Sequence, residues 1–180
     1  MKVKFGLKNV HIAPLNLTTN AYGTIFALPG AVSLSLDAEG EESNFAADNN
    51  AKYFSRYSNN GYSGTLEVAL FNEDFLTQIL GQIKDTNGAL IENIEATNTP
   101  FALMFEVEGD VENRRTVFYN VTASRPGAEA STTEESIEVQ TESVDITCGG
   151  HPTTGDVKAS LLSTDTGYAS FFESVYTKVV

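Results

Sequence analysis

The sequence predicts a mainly β (α+β) fold in a single domain, with one α-helix flanking the sheet. Three observations lead there. Apolar and polar residues alternate with period two in segment after segment. One stretch alone shows the three- and four-residue spacing of an amphipathic helix. The length, 180 residues, fits one domain of ordinary size.

The elements follow in order. Val3, Phe5 and Leu7 alternate with Lys4 and Gly6, and Val10-His11-Ile12-Ala13-Pro14 continues an extended N-terminal arm over about residues 1–25. Val32, Leu34 and Leu36 alternate with Ser33, Ser35 and Asp37. Periodicity then lapses from Ala38 to Tyr62, where Glu39, Glu41, Glu42, Asp48 and several asparagines mix with Phe45, Tyr53, Phe54, Arg56, Tyr57 and Tyr62. A loop of that length inside a compact domain is usually functional, and these aromatics suit docking on another copy.

Leu66, Val68 and Leu70 alternate with Thr65, Glu67 and Ala69. The helix follows. Asn72 is its N-cap, and Glu73 and Asp74 occupy the favourable first turn. Phe75, Leu76, Ile79, Leu80 and Ile83 form one apolar stripe, and Asn87-Gly88 ends the unit. Phe101, Leu103, Phe105 and Val107 make the next strand, and Val117, Tyr119 and Val121 another. Between Glu135 and Cys148 the phase changes. Ile137 and Val139 fall on one parity, whereas Val144, Ile146 and Cys148 fall on the other, which a bulge near residues 141–143 or a strand serving two surfaces would reconcile. Phe172, Val175 and Tyr176 have the spacing of a second, short helix in a C-terminal extension of about residues 150–180.

Charge narrows the function. The formal net charge is −13, the wrong sign for gripping nucleic acid phosphates or anionic membranes. The N-terminus carries no apolar run of a secretory signal, and no stretch approaches the roughly 18 apolar residues of a membrane span, so a soluble cytoplasmic product is expected. Cys148 is the only cysteine, which excludes an internal disulfide.

Catalytic patterns are missing. His11 and His151 are the only histidines, and neither stands beside a nucleophile. Cys148 and His151 make at most half a zinc site. The carboxylates come in solvated runs, there is no tryptophan for a sugar platform, and no glycine-rich loop ends in Gly-Lys-Ser/Thr. No catalytic residue, metal or cofactor is expected.

Several blocks carry a resemblance. They are Phe26 to Gly40 (FALPGAVSLSLDAEG), Ala47-Asp48-Asn49 with Tyr53, Tyr57 to Gly64 (YSNNGYSG), Pro100-Phe101-Ala102-Leu103, Tyr119 to Pro126 (YNVTASRP) and Glu138 to Ser143 (EVQTES). In this order they resemble the major tail (tail tube) proteins of long non-contractile-tailed phages of Gram-positive bacteria. The likeness runs from about Val3 to Ile146, and the last thirty residues resemble that family less clearly.

The resemblance implies a tail-tube β-sandwich flanked by one helix. Six copies would form a ring, their sheets joining into a closed barrel around a channel, and the rings would stack. DNA would transit the lumen without specific binding. The partners would be further copies of the chain, a tape-measure protein, and tail terminator and distal tail proteins. The place would be the virion tail, assembled in the host bacterial cytoplasm. Residues 38–62 would reach the next ring, with Phe45, Tyr53, Phe54, Arg56 and Tyr57 as inter-ring contacts. Given such a channel, the polar parity of the strands next to that loop would put Ser33, Ser35, Asp37, Thr65 and Glu67 on the lumen, with Glu138, Gln140 and Glu142 as a second, weaker set; the alternative is that these residues face outside solvent. The same subunit chemistry would serve a phage-derived bacteriocin tail or a gene-transfer particle. A surface-binding β-sandwich adhesin is the alternative from another class, and it predicts a stable monomer that binds glycans.

Overall fold

The computed structural model describes residues 6–109, 113–130, 132 and 139–179. The expectations for Val3, Phe5, Ile137 and Glu138 fall outside the described residues. The chain is mainly β. In order, the strands are β1 (Leu7–Asn16), β2 (Ala21–Tyr22), β3 (Phe26–Ala27), β4 (Ala31–Glu39), β5 (Glu42–Ala47), β6 (Asn50–Tyr57) and β7 (Gly61–Val68). After a helical segment at Phe75–Ile79 come β8 (Ile83–Lys84), β9 (Leu90–Ile91), β10 (Phe101–Val107), β11 (Arg114–Ala123), β12 (Glu142–Gly149) and β13 (Lys158–Leu161).

Nine strands form one antiparallel sheet in the order β2-β1-β10-β11-β12-β7-β4, with β3 beside β1 and β13 beside β11. The expected sandwich of two stacked sheets is thus a single sheet that curls until β1 and β4 touch. They do not pair, so among the described residues the chain closes no barrel by itself, and β4 ends the sheet with an open edge. Gly64 allows part of this curl: a Cβ there would lie 1.8 Å from the Ser35 carbonyl oxygen on β4.

The expected N-terminal arm is largely sheet. β1 pairs with β10 along most of its length, and Asn9, at φ 54°, makes the bulge that lets it follow the curve. A bulge in β11 explains another departure. Phe101 pairs with Val121 but Leu103 pairs with Phe118, so β11 carries one extra residue. Val117 and Tyr119 therefore face one side, and Phe118 and Val121 the other, instead of Val117, Tyr119 and Val121 sharing a face. The β11 partner also changes there, from β13 at residues 115–118 to β12 at residues 120–123.

These strands separate two cores. On the inside of the curl, Val10, Ile12, Leu66, Val68, Phe101, Leu103, Phe118, Val144 and Ile146 meet Phe71, Phe75 and Ile79. On the outside of β1, β10 and β11, Ala13, Ala102, Met104, Val117 and Tyr119 pack against Leu161 and Phe171. Phe101 through Met104 are accordingly buried on both faces.

The helix is shorter than expected. Asn72 does cap it, its Oδ1 accepting a hydrogen bond from the Phe75 N–H at 3.1 Å. The turn then widens, with Leu80 N–H donating to the Phe75 carbonyl, five residues back. Gly81, at φ 70°, ends it. Ile83, expected on the apolar stripe, lies in β8 and is 63% exposed. The second predicted helix, around 169–176, is a run of turns held by Phe171 N–H to Tyr168 and Glu173 N–H to Ser170. The phase change before Cys148 also resolves simply. β12 starts at Glu142, and Val139 precedes it in solvent, 80% exposed.

Candidate functional site

Two surfaces stand out, and both grow from the β4–β7 pair. The first is a polar sheet face. Ser33 lies opposite Glu67, Ser35 opposite Thr65, and Asp37 opposite Ser63. Across β7 the same rows continue, Glu67 to Ser143, Thr65 to Asp145 and Ser63 to Thr147. Side chains of one row in paired strands share a face. Ser33, Ser35, Asp37, Thr65 and Glu67 are therefore brought together. Their alternates, Leu34, Leu36, Leu66 and Val68, turn toward the inner core.

Hydroxyls and carboxylates bridge the strands. Ser33 Oγ donates to Glu67 Oε2 at 2.8 Å, and Thr141 Oγ1 donates to Glu67 Oε1 at 2.6 Å. Thr65 Oγ1 donates to Asp145 Oδ1 at 3.3 Å, and the Ser63 hydroxyl donates to Glu39. The Thr141 bond, then the Ser33 bond, hold the Glu67 carboxyl below the usual carboxylate range. Asp37, Glu39, Glu67 and Asp145 keep the face acidic, and β4, β7 and β12 contain no Lys or Arg.

The second set from the sequence does not join it. Glu142 pairs with Val68 and turns the other way, its carboxylate accepting the Phe71 N–H at 2.8 Å. Gln140 precedes β12, and Glu138 is outside the described residues. Sequence reasoning missed Ser63, Ser143, Asp145 and Thr147. The signal was present, because Val144, Ile146 and Cys148 fix the parity of β12 and leave those polar neighbours on the opposite side.

The second surface is a hairpin. The stretch expected to be irregular is β5 and β6, joined by Asp48-Asn49 with both residues at positive φ, 50° and 59°. That is a type I′ turn, whose twist matches the strands it joins. Glu41 and Ser58 close its base, Ser58 N–H donating to Glu41 O at 2.9 Å. Glu42 binds Lys52 at 2.8 Å across the strands. The hydrogen bonds from Lys52 and Ser55 hold the Glu42 carboxyl below its ordinary range.

Among the described residues nothing covers this hairpin. Phe45, Tyr53, Phe54 and Tyr57 are 62%, 61%, 57% and 72% exposed. Phe45 lies opposite Phe54, and Ser43 opposite Arg56, so Phe45, Phe54 and Arg56 share one face. Tyr57 pairs with Glu42 and turns to the other face. The five residues singled out from the sequence thus fall on one projecting element but not on one side of it.

A third cluster is internal. Glu106 is 4% exposed and accepts from Arg115 Nε at 3.1 Å and from Asn9 Nδ2 at 3.3 Å, with Lys8 Nζ 3.4 Å away. Burial raises the Glu106 pKa, but the Arg115 and Asn9 hydrogen bonds and the Arg115 and Lys8 charges outweigh it and leave it low. The Arg115 guanidinium also lies 3.9 Å from the Tyr168 ring centre and 4.7 Å from that of Phe172. His11 stacks on the same Phe172 at 4.5 Å. Cys148 is buried, which pushes its thiol up to about 12 and leaves it unreactive. His151 sits in the turn after it, between Tyr22 and Tyr119.

Among the described residues no group of three or more His, Cys, Asp or Glu side chains is placed to hold a metal. No helix there is long and apolar enough to cross a membrane. Neither a known protein family nor a curated relative matches the chain. Among solved structures it is similar to the cryo-EM structure of the anti-feeding prophage cap, a tube-terminating cap. The TM-score is 0.41 and the identity 11%, over 90% of this chain and 95% of that one.

Proposed function

We propose that this chain is the subunit of a phage tail tube, a structural protein with no catalytic role. Six copies close into a ring, the rings stack, and DNA passes through the bore. The hairpin carries this reading. A chain that buries Phe75, Phe101 and Phe171 almost completely holds four other aromatic side chains in solvent on a regular, well-formed element. Such a surface marks a protein–protein contact.

Three further features support it. The open edge of β4 offers nine residues for pairing with a neighbouring subunit, and ring closure removes an edge that otherwise invites aggregation. The polar face of β4, β7 and β12 supplies a wall without cations. Repulsion screened over roughly 8 Å keeps a duplex off such a wall without stopping its passage. The resemblance of residues 3–146 to tail tube proteins gives the ring its number of copies. In this reading Ser33, Ser35, Asp37, Thr65 and Glu67 line the bore, joined by Ser63, Ser143 and Asp145. Phe45, Tyr53, Phe54, Arg56 and Tyr57 join one ring to the next.

Negative-stain microscopy of the purified protein at rising concentration tests the proposal. Hollow tubes of uniform width are the expected result. A chain that stays monomeric at every concentration, or a reconstruction that puts Asp37 and Glu67 on the outer surface, overturns it.

A further inference from the structure

The exposed apolar residues are not scattered. The β4–β7 register runs from Ala31 opposite Val68 at one end to Glu39 opposite Gly61 at the other, about 26 Å at roughly 3.3 Å per residue. The hairpin continues from the Glu39 end. Leu17, Leu70, Ile83, Ile91, Ile94 and Val139 all belong to the Ala31 end, with exposures from 50% to 96%. Chain order requires this, because they adjoin Asn16, Val68, the helical segment and the start of β12. Arg125, just beyond β11, pins the segment before Ile94 to that same end through Glu92 at 2.5 Å. Apart from Val179, every large apolar side chain found in solvent among the described residues sits at one end or the other.

Two unlike apolar ends on one chain suit a head-to-tail contact, which runs on as an open stack where the rotation between copies does not close it. Charge agrees. The other described lysines and arginines of the hairpin and its opposite end have carboxylate partners, Lys52 with Glu42, Lys84 with Glu73 and Arg125 with Glu92. Arg56, beside Phe45 and Phe54, has none among the described residues. Glu95 stands next to Ile94, the most exposed apolar residue described, and its carboxylate has no cation among the described residues. Area agrees as well. Phe45 and Phe54, of roughly 150–250 Å² each and about three-fifths exposed, supply about a quarter to a third of the roughly 800 Å² per partner of a standard interface.

We infer that the hairpin of one copy docks on the opposite end of a second copy, Phe45 and Phe54 covering Ile91 and Ile94 while Arg56 meets Glu95. This rests on the stacked-tube reading and names the surface that receives the hairpin.

The test uses the full-length chain and polymerisation followed by sedimentation and microscopy. Ile91 and Ile94 are 50% and 96% exposed, so I91D/I94D should keep the wild-type melting temperature while raising the critical concentration for tubes at least about tenfold. A hairpin variant, F45D/F54D, should fail in the same way. Mixing the two defective proteins leaves one working hairpin and one working receiving end. It should give two-layer particles and no filaments. Arg56→Glu and Glu95→Arg should each weaken stacking, and R56E/E95R should restore it. If the wild type forms tubes and I91D/I94D forms them at the same concentration, the receiving surface lies elsewhere and the tube reading survives. If the charge-reversed pair fails to recover, the Arg56–Glu95 contact is wrong. If the wild type forms no tubes, both readings fall together.

Discussion

The hairpin and the C-terminal segment are opposites. Residues 42–57 have regular strands, a matched turn and cross-strand bonds, yet bury almost nothing. Residues 162–179 have only turns, yet Phe171 is 1% exposed and Tyr168, Phe172, Val175 and Tyr176 pack around it. Regular backbone is therefore not what makes a segment part of the folded body. Burial is, because apolar area removed from water offsets the cost of ordering the chain. An isolated two-stranded hairpin is marginal in water. The hairpin is complete in geometry and incomplete in energy, and in the proposed tube a neighbouring copy supplies what is missing.

The largest test of that contrast is Phe171→Ala. Emptying a fully buried aromatic site should cost about 4 kcal/mol, or roughly 10 °C in melting temperature for a chain of this size. If the C-terminal turns were loosely attached, calorimetry would show almost no change.

Glu106→Gln comes next. Arg115 links the body to this segment, bonding Glu106 on one side and the Tyr168 carbonyl at 2.5 Å on the other. Removing the carboxylate leaves a largely buried guanidinium without its counter-charge, at a cost of about 3 kcal/mol. The pH dependence has a definite sign. The Glu106 pKa is lower in the folded state than its ordinary value of 4.5. Its contribution is then complete above that value and disappears as pH falls through the folded one. Melting curves of wild type and E106Q should differ at pH 7 and converge only as pH falls past the lowered folded-state value of Glu106. Parallel curves throughout would remove Glu106 from the account.

How much of this was legible in the sequence follows from the same physics. Where one face is wet and one buried, alternation reports both, so the polar row of Ser33, Ser35, Asp37, Thr65 and Glu67 was readable. In β5 and β6 both faces are wet, so no parity is imposed, and the pairing skips between Phe45 and Ala47. The stretch read as irregular for that reason. The apolar pattern 75–83 extends past Gly81, and only the left-handed φ of that residue shows where the helix stops. The β11 bulge left no mark, because Val117, Phe118, Tyr119 and Val121 are apolar in either phase. Nor was the pairing of Arg115 with Glu106, which depends on tertiary placement of two strands.

Excising the hairpin gives a smaller effect on the body and a complete one on assembly. Glu41 and Ser58 already meet, so a two-residue Gly-Ser link can replace residues 42–57 without strain. Thermal stability should move by less than about 1 kcal/mol, as for other exposed changes. Tube formation should vanish. A melting temperature that fell with the deletion would mean the hairpin braces its own subunit, and the contrast with the C-terminal segment would fail.

The smallest effect falls on the turn itself. Asn49 occupies the second central position of the type I′ turn at φ 59°, a conformation that Gly adopts at less cost than Asn. Asn49→Gly should favour the closed hairpin by about 0.5 kcal/mol. The body should be indifferent, since neither Asp48 nor Asn49 touches its core. Amide hydrogen exchange separates the two outcomes. In the unassembled protein, protection across residues 43–56 should rise about twofold while β10 and β11 exchange as before. In tubes the same amides should be strongly protected with either residue at 49, because the neighbouring copy then holds them. If N49G shifted the exchange of β10 as well, hairpin and body would be one cooperative unit, and exposure could no longer be read as independence.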